Sequence, residues 1–257
     1  MSKARYVTGL RAVEQLLASD SAKVRRLYAE YRSANPRVEA LVAAANRHGV
    51  DVQSANRSRL EQISGESRHQ GVVAEIQRST TMDEAALRDF VEQRLIADHP
   101  EPILLLVLDG LQDPHNLGAC LRTADAAGVD AVIVSKHGAA GLSPTVSKVA
   151  AGAAEALPFA SVANIGRTLG WLSEYGIGIV GTSDKGSESL FVTSMDGPLA
   201  LVMGREHSGL KPIVMQRCDR LVHLPMLGAV SSLNVSVATG ICLYEALRQR
   251  RAKPAPG

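Results

Sequence analysis

The chain has 257 residues, 46% of them hydrophobic and 21% charged, enough apolar material for one large core or two modest ones. Its formal charge of +2 is unevenly spread: residues 1–80 carry 13 Lys/Arg against 8 Asp/Glu, residues 81–100 are acidic, and residues 101–257 balance. No apolar run approaches the roughly 20 residues of a membrane span, Arg11, Glu14 and Gln15 break the start as they would not in a signal peptide, and three distant cysteines, Cys120, Cys218 and Cys242, make no disulfide framework.

A cytoplasmic protein with buried structural thiols is therefore expected, and the basic first third suggests contact with a polyanion. Arg25, Arg26, Arg32, Arg57 and Arg59 are its candidate contacts.

In chain order, Leu10, Val13, Leu16 and Leu17 recur at helical spacing, and Val24–Tyr28 reads as a strand. Asn35-Pro36 supplies a cap and a first-turn proline for a helix that stops at Gly49. Val50–Val52 reads as a strand, Ser58–Ile63 as a short helix and Gly71–Ile76 as a last strand, which completes a small α/β unit. The acidic stretch 79–100 ends in His99-Pro100-Glu101-Pro102 and reads as a linker carrying one short helix.

From Ile103 the scale changes. Ile103–Leu108 is continuously apolar, as a strand buried on both faces of a parallel sheet must be. Further strands are expected at Ala131–Val134, Ile177–Val180, Leu199–Met203 and Leu221–Leu224, with helices at Leu117–Ala127, Thr145–Ala156, Ile165–Tyr175, Ile213–Cys218 and from Leu233 to about Arg250. Alternation of this kind predicts an α/β fold: a mostly parallel sheet with helices on both faces.

Several functions are excluded by residue context. Gly176-Ile177-Gly178-Ile179-Val180-Gly181 spells a dinucleotide-binding signature, but its glycines fall inside the strand rather than between strand and helix. No metal-ligand spacing and no nucleophile elbow is present, so no metal is expected.

Three polar islands remain, each where a buried strand ends, the edge at which α/β sheets collect ligands. Asp109–Arg122 carries Asn116, Gly118 and Arg122, with Asn116 equally suited to cap the following helix. Gly204–Leu210 carries Glu206 and a glycine placed for close backbone approach to a ligand. Leu224–Ala238 carries Met226, Ser232, Leu233 and Asn234, polar groups at the start of an apolar helix that would need partners.

These islands resemble the three motifs of the SpoU/TrmH family of RNA ribose 2′-O-methyltransferases: N-x-G-x-x-x-R, G-x-E-x-x-G and P-M-x-G-x-x-S-S-L-N-V-S-V-A. Arg68-His69-Gln70-Gly71-Val72 is similar to the end of the ribosomal-protein-like RNA-binding domain in the branch that modifies a guanosine of 23S rRNA.

The resemblance implies an RNA substrate-binding domain at 1–78, a linker at 79–100 and, at 101–257, a catalytic domain of SPOUT type with a C-terminal trefoil knot. It implies S-adenosyl-L-methionine as cofactor, held by Gly204, Leu224, Met226 and Leu233. Asn116, Arg122, Glu206, Ser232 and Asn234 are implied to be catalytic or substrate-binding, and a homodimer to be the working form. The expected substrate is ribosomal RNA, a 23S guanosine ribose first; tRNA ribose methylation is the alternative, and a non-catalytic RNA-binding protein the remoter one. A guanidinium is effectively never deprotonated, so Arg122 is expected to stabilise a forming alkoxide rather than to act as the base.

Overall fold

The computed structural model describes residues 5–21, 24–31, 33, 35–76, 81–97, 99–205 and 208–252. These fall into two compact units, Met1–Ser79 and Thr80–Gly257.

The first unit runs β1 (Arg5–Thr8), α1 (Leu10–Asp20), β2 (Val24–Glu30), α2 (Pro36–Arg47), β3 (Asp51–Ala55), α3 (Arg57–Ser64) and β4 (Val72–Ile76). Its sheet has the order β1-β4-β2-β3, with β2 and β3 parallel and the other neighbours antiparallel. Asn35 caps α2 by accepting from the Arg37 N–H at 3.1 Å, and Asn56 caps α3 by accepting from the Arg59 N–H at 2.8 Å. Val13, Leu17, Leu27, Val38, Leu41 and Val72 fill the core between α1, α2 and the sheet. The edge strand β1 has no counterpart in the sequence reading: its four residues give the alternation too little length to register.

The second unit continues with α4 (Glu84–Ile96), β5 (Leu104–Leu108), α5 (Pro114–Ala126), β6 (Ala131–Ser135), α6 (Pro144–Ala150), α7 (Ala153–Ala156), β7 (Phe159–Val162) and α8 (Ile165–Glu174). It closes with β8 (Gly178–Thr182), β9 (Glu188–Ser189), β10 (Leu199–Met203), α9 (Pro212–Met215), β11 (Arg220–His223) and α10 (Val235–Ala252). All seven strands are parallel, in the order β7-β6-β5-β10-β8-β11-β9.

Strand alternation splits the apolar run in two. Leu104, Leu106 and Leu108 pack with α5, α6, α7 and α10, while Ile103, Leu105 and Val107 pack with α4, α8 and α9. Helices thus cover both faces, as the unbroken apolar strand requires.

Helix α4, within the segment 79–100, has its Leu87 and Val91 fully buried in the second of these cores. Two local readings change. The helix expected at Thr145–Ala156 is two helices, because Ala151 and Gly152 take φ of 52° and 102°, a left-handed turn that no α-helix continues through. The last helix begins at Val235, leaving Ser232, Leu233 and Asn234 in irregular chain before it. No helix among the described residues is long and apolar enough to cross a membrane.

Candidate active site at the strand ends

Strands β5, β10, β8 and β11 are consecutive neighbours and parallel, so their carboxyl ends share one edge. The islands that follow β5, β10 and β11 in the chain therefore converge in space, the position at which open α/β sheets bind ligands.

Two contacts tie the islands together. Asp109, 1% exposed at the end of β5, accepts from the Lys211 N–H at 3.1 Å and from Lys211 Nζ at 3.0 Å. A buried carboxylate must be paired, and this pairing pins the loop after β10 to the loop after β5. Asn234 Nδ2 donates to Asn116 Oδ1 at 3.0 Å, which joins the third island to the first.

The capping question is settled by geometry. Asp113 caps α5 by accepting from the His115 N–H at 3.0 Å, so Asn116 is released for that contact in the first turn. Asn234 stands immediately before α10, and its Oδ1 accepts from both the N–H (2.9 Å) and the hydroxyl (2.6 Å) of Ser236. Packing of α10 on α5 brings the two asparagines to each other, and Cys120 donates to Thr239 at 3.6 Å within that seam. Gly118 serves α6 instead: a Cβ there would fall 2.7 Å from Val149 Cβ and 2.9 Å from the Val146 carbonyl oxygen.

A cleft of about 380 Å³ opens between these loops. Gly204, Leu224, Met226 and Leu233, the four residues assigned to the cofactor, all line it, together with Ser232. Gly204 is needed for a reason beyond ligand approach. Arg205 and Gly209 form a tight antiparallel bridge, so a Cβ on residue 204 would lie 2.3 Å from the Gly209 carbonyl carbon and 2.4 Å from the Leu210 nitrogen. Across the cleft, the backbone of residues 225–233 makes no backbone–backbone hydrogen bond among the described residues.

Arg122 is exposed, two turns into α5, and does not line the cleft. Glu206 lies outside the described residues. The sequence reading passed over Thr182, Ser183, Asp184 and Lys185, which line the cleft from the end of β8. The rule that found the islands, polar residues where a buried strand ends, would have found these too. Arg205 also lines the cleft, with a buried Nε that has no acceptor among the described residues.

Other features are structural. Burial pushes the Cys218 and Cys242 thiols up to about 12, with Asp219 adding to the effect at Cys218, so neither is a ready nucleophile. A separate cavity of about 420 Å³ beside Arg88, Trp171 and Arg217 touches none of the three islands. Among the described residues no His/Cys/Asp/Glu cluster could hold a metal ion. In the first unit, Arg25 and Arg26 reach Glu75 and Asp51 at 3.4 and 2.6 Å, so part of the basic surface is internally compensated. Arg57 and Arg59 remain largely on the surface, and Arg32 lies outside the described residues.

Comparison with known proteins shows the family of the chain. Residues 103–244 match the family model described as the SpoU rRNA Methylase family, and residues 6–82 match that described as RNA 2'-O ribose methyltransferase substrate binding. The chain is 46% identical over 256 residues to the 23S rRNA (guanosine-2'-O-)-methyltransferase RlmB of Pseudomonas syringae pv. tomato, covering 100% of both chains. It is 44% identical to the protein of the same name from Coxiella burnetii, again over 100% of both. Among solved structures, the SpoU methyltransferase AviRb from Streptomyces viridochromogenes is similar with a TM-score of 0.73 and 27% identity, covering 97% of this chain and 91% of its own. An AdoMet-bound rRNA methyltransferase from Sinorhizobium meliloti gives 0.71 and 30%, covering 96% and 87%.

Proposed function

The chain belongs to the SpoU rRNA Methylase family, and on that premise we propose that it transfers the methyl group of S-adenosyl-L-methionine to the 2′-hydroxyl of a guanosine ribose in 23S rRNA. The observation that carries this reading is the single cleft at the ends of β10 and β11, lined by all four residues assigned to the cofactor. The fit is chemical as well as spatial. Backbone groups of 225–233, which make no backbone–backbone hydrogen bond among the described residues, offer donors and acceptors to an adenine edge, and Leu224, Met226 and Leu233 offer apolar contact.

When bound, the cofactor supplies an electrophilic sulfonium methyl. The protein must present a ribose oxygen in line with it and stabilise that oxygen as it loses its proton. Asn234, which stands in the chain between the cleft residues Leu233 and Val235, forms an amide pair with Asn116, and the pair orients the ribose. Arg122 meets the neighbouring phosphate and the developing alkoxide with its permanent charge. Ser232, exposed at the cleft, adds a hydroxyl to the substrate side, and the proton passes to solvent or to Glu206.

The working unit is a homodimer with a knotted catalytic domain at 101–257, an RNA substrate-binding domain at 1–78 and the segment 79–100 between them. Two observations support the dimer: Arg122 does not line the cleft of its own chain, and Val237 and Tyr244 leave half of their surface uncovered on α10. The return of α10 across α5 after β11, on the far side of β10, supports the knot. With ribosomal RNA as substrate, the protein acts in the cytoplasm.

The test is incubation with labelled S-adenosylmethionine and unmethylated rRNA, followed by mapping of the labelled nucleotide. A single ribose-methylated guanosine in 23S rRNA is expected; label on tRNA alone, or none, overturns the reading. In the same assay Arg122→Lys should lose activity on the order of a hundredfold without shifting the pH–rate profile. A profile displaced to lower pH with activity retained would make residue 122 the base instead.

A further inference from the structure

We propose that the first unit holds a pocket for one unstacked guanine base of the RNA, read by His69 and Glu30. The proposal rests on the RNA-methyltransferase reading and adds to it the part of the substrate that this unit reads.

A cavity of about 350 Å³ lies where the N-terminal ends of α1 and α2 meet the segment before β4, with Leu10, Glu30, Asn35, Arg57, His69 and Gln70 on its wall. His69 is only 2% exposed. Its Nδ1 accepts from the Gly71 N–H at 3.1 Å, which puts the proton of the neutral ring on Nε2. That Nε2–H is buried and has no acceptor among the described residues. A buried donor without a partner is unfavourable, and His69 is one of the residues on the wall of this cavity.

The surrounding backbone is built to hold the imidazole there. Gln70 takes φ of 52°, a left-handed conformation unusual for a side-chain-bearing residue. Its Oε1 accepts from the Leu10 N–H at the start of α1 at 3.0 Å, and the Glu30 N–H donates to the Gly71 carbonyl at 2.8 Å. Strain and two cross-links hold residues 69–71 in one shape, where a plain surface loop would relax.

The polar groups select the ligand. A phosphate would satisfy the imidazole donor but would be repelled by the Glu30 carboxylate, which has no hydrogen bond or ion pair of its own among the described residues. Guanine offers adjacent N1–H and N2–H donors to a carboxylate and O6 and N7 acceptors to an imidazole N–H. Single-stranded RNA loops are recognised by splayed bases of this kind. Arg57, 71% exposed on the rim and only loosely paired with Glu61 at 3.6 Å, is placed for the attached phosphate.

The experiment uses the full chain with ¹⁵N-labelled histidine, titrated with GMP, AMP and CMP, and in parallel the KM for an unmodified 23S rRNA transcript. His69→Asn keeps an acceptor for the Gly71 N–H while removing the Nε2 donor, and Glu30→Gln removes the carboxylate. GMP should move the His69 Nε2–H resonance, and AMP and CMP should not. Each variant should raise the KM for RNA roughly tenfold, with kcat and cofactor affinity unchanged. If His69→Asn fails to fold, Glu30→Gln carries the test alone. An unchanged KM in a folded variant, or equal response to AMP, overturns the pocket while wild-type methylation still stands; absence of any rRNA methylation by the wild type overturns the underlying reading instead.

Discussion

Asn234 and Asn116, 118 positions apart in the chain, are joined by a 3.0 Å hydrogen bond from one amide to the other. Asn234 at the same time caps α10 through Ser236. One side chain thus sets the start of the last helix and the orientation of a residue on α5.

These two roles separate by substitution. Asn234→Asp keeps the acceptor for Ser236 and loses the donor to Asn116; Asn234→Ala loses both. The alanine variant should be less stable by about 1 kcal/mol, and the aspartate variant should melt close to wild type. Both should fall in kcat by on the order of a hundredfold. Calorimetry with single-turnover kinetics checks this, and an active Asn234→Asp would reduce the contact to a cap.

Gly204→Ala should abolish cofactor binding. Its added methyl collides with the backbone of Gly209 and Leu210, not with a flexible side chain that could step aside. The loop must open, and the cleft wall opens with it. Saturating S-adenosylmethionine, which should raise the melting temperature of the wild type, should leave that of the variant unmoved. A normal ligand-induced shift would show that the loop adapts.

Glu245 is buried on α10, and Arg248 holds its carboxyl below the usual value, with Gln249 helping and burial opposing. A depressed folded pKa means stability that is present above the ordinary carboxylate pKa and lost as pH falls through the folded value. Glu245→Gln should therefore cost about 1 kcal/mol at neutral pH. The gap to wild type should close in acid below the ordinary value of 4.5. Melting curves from pH 7 to 3 check the sign; a gap that widens in acid contradicts it.

Val237 and Tyr244, 52% and 50% exposed, occupy one face of α10 seven residues apart. Sedimentation at micromolar concentration should give about twice the 27.2 kDa chain mass. The double change Val237→Asp with Tyr244→Glu should return it to one chain mass and lower RNA methylation. A wild type that stays monomeric and fully active would remove any role for a second copy.

Most of the secondary structure was legible from local pattern. The apolar run 103–108 demanded a doubly buried strand, and its alternate residues did divide between two cores. Asn35-Pro36 announced α2, because a cap and a proline act within one turn of themselves. The islands were legible for the same reason: a polar cluster after a buried strand is a feature of consecutive residues. Three short strands, β1, β7 and β9, escaped.

Tertiary structure alone decided which groups meet. Strand order made neighbours of β5, β10, β8 and β11, and only then did the chain-distant islands share an edge and Thr182–Lys185 join them. It chose Asp113 over Asn116 as the cap of α5, assigned Gly204 to a clash within its own loop, and left His69 a buried donor without an acceptor among the described residues. A hydrophobic period depends on neighbours three or four positions away, whereas a hydrogen-bond partner is selected by whichever element the whole fold brings within 3 Å.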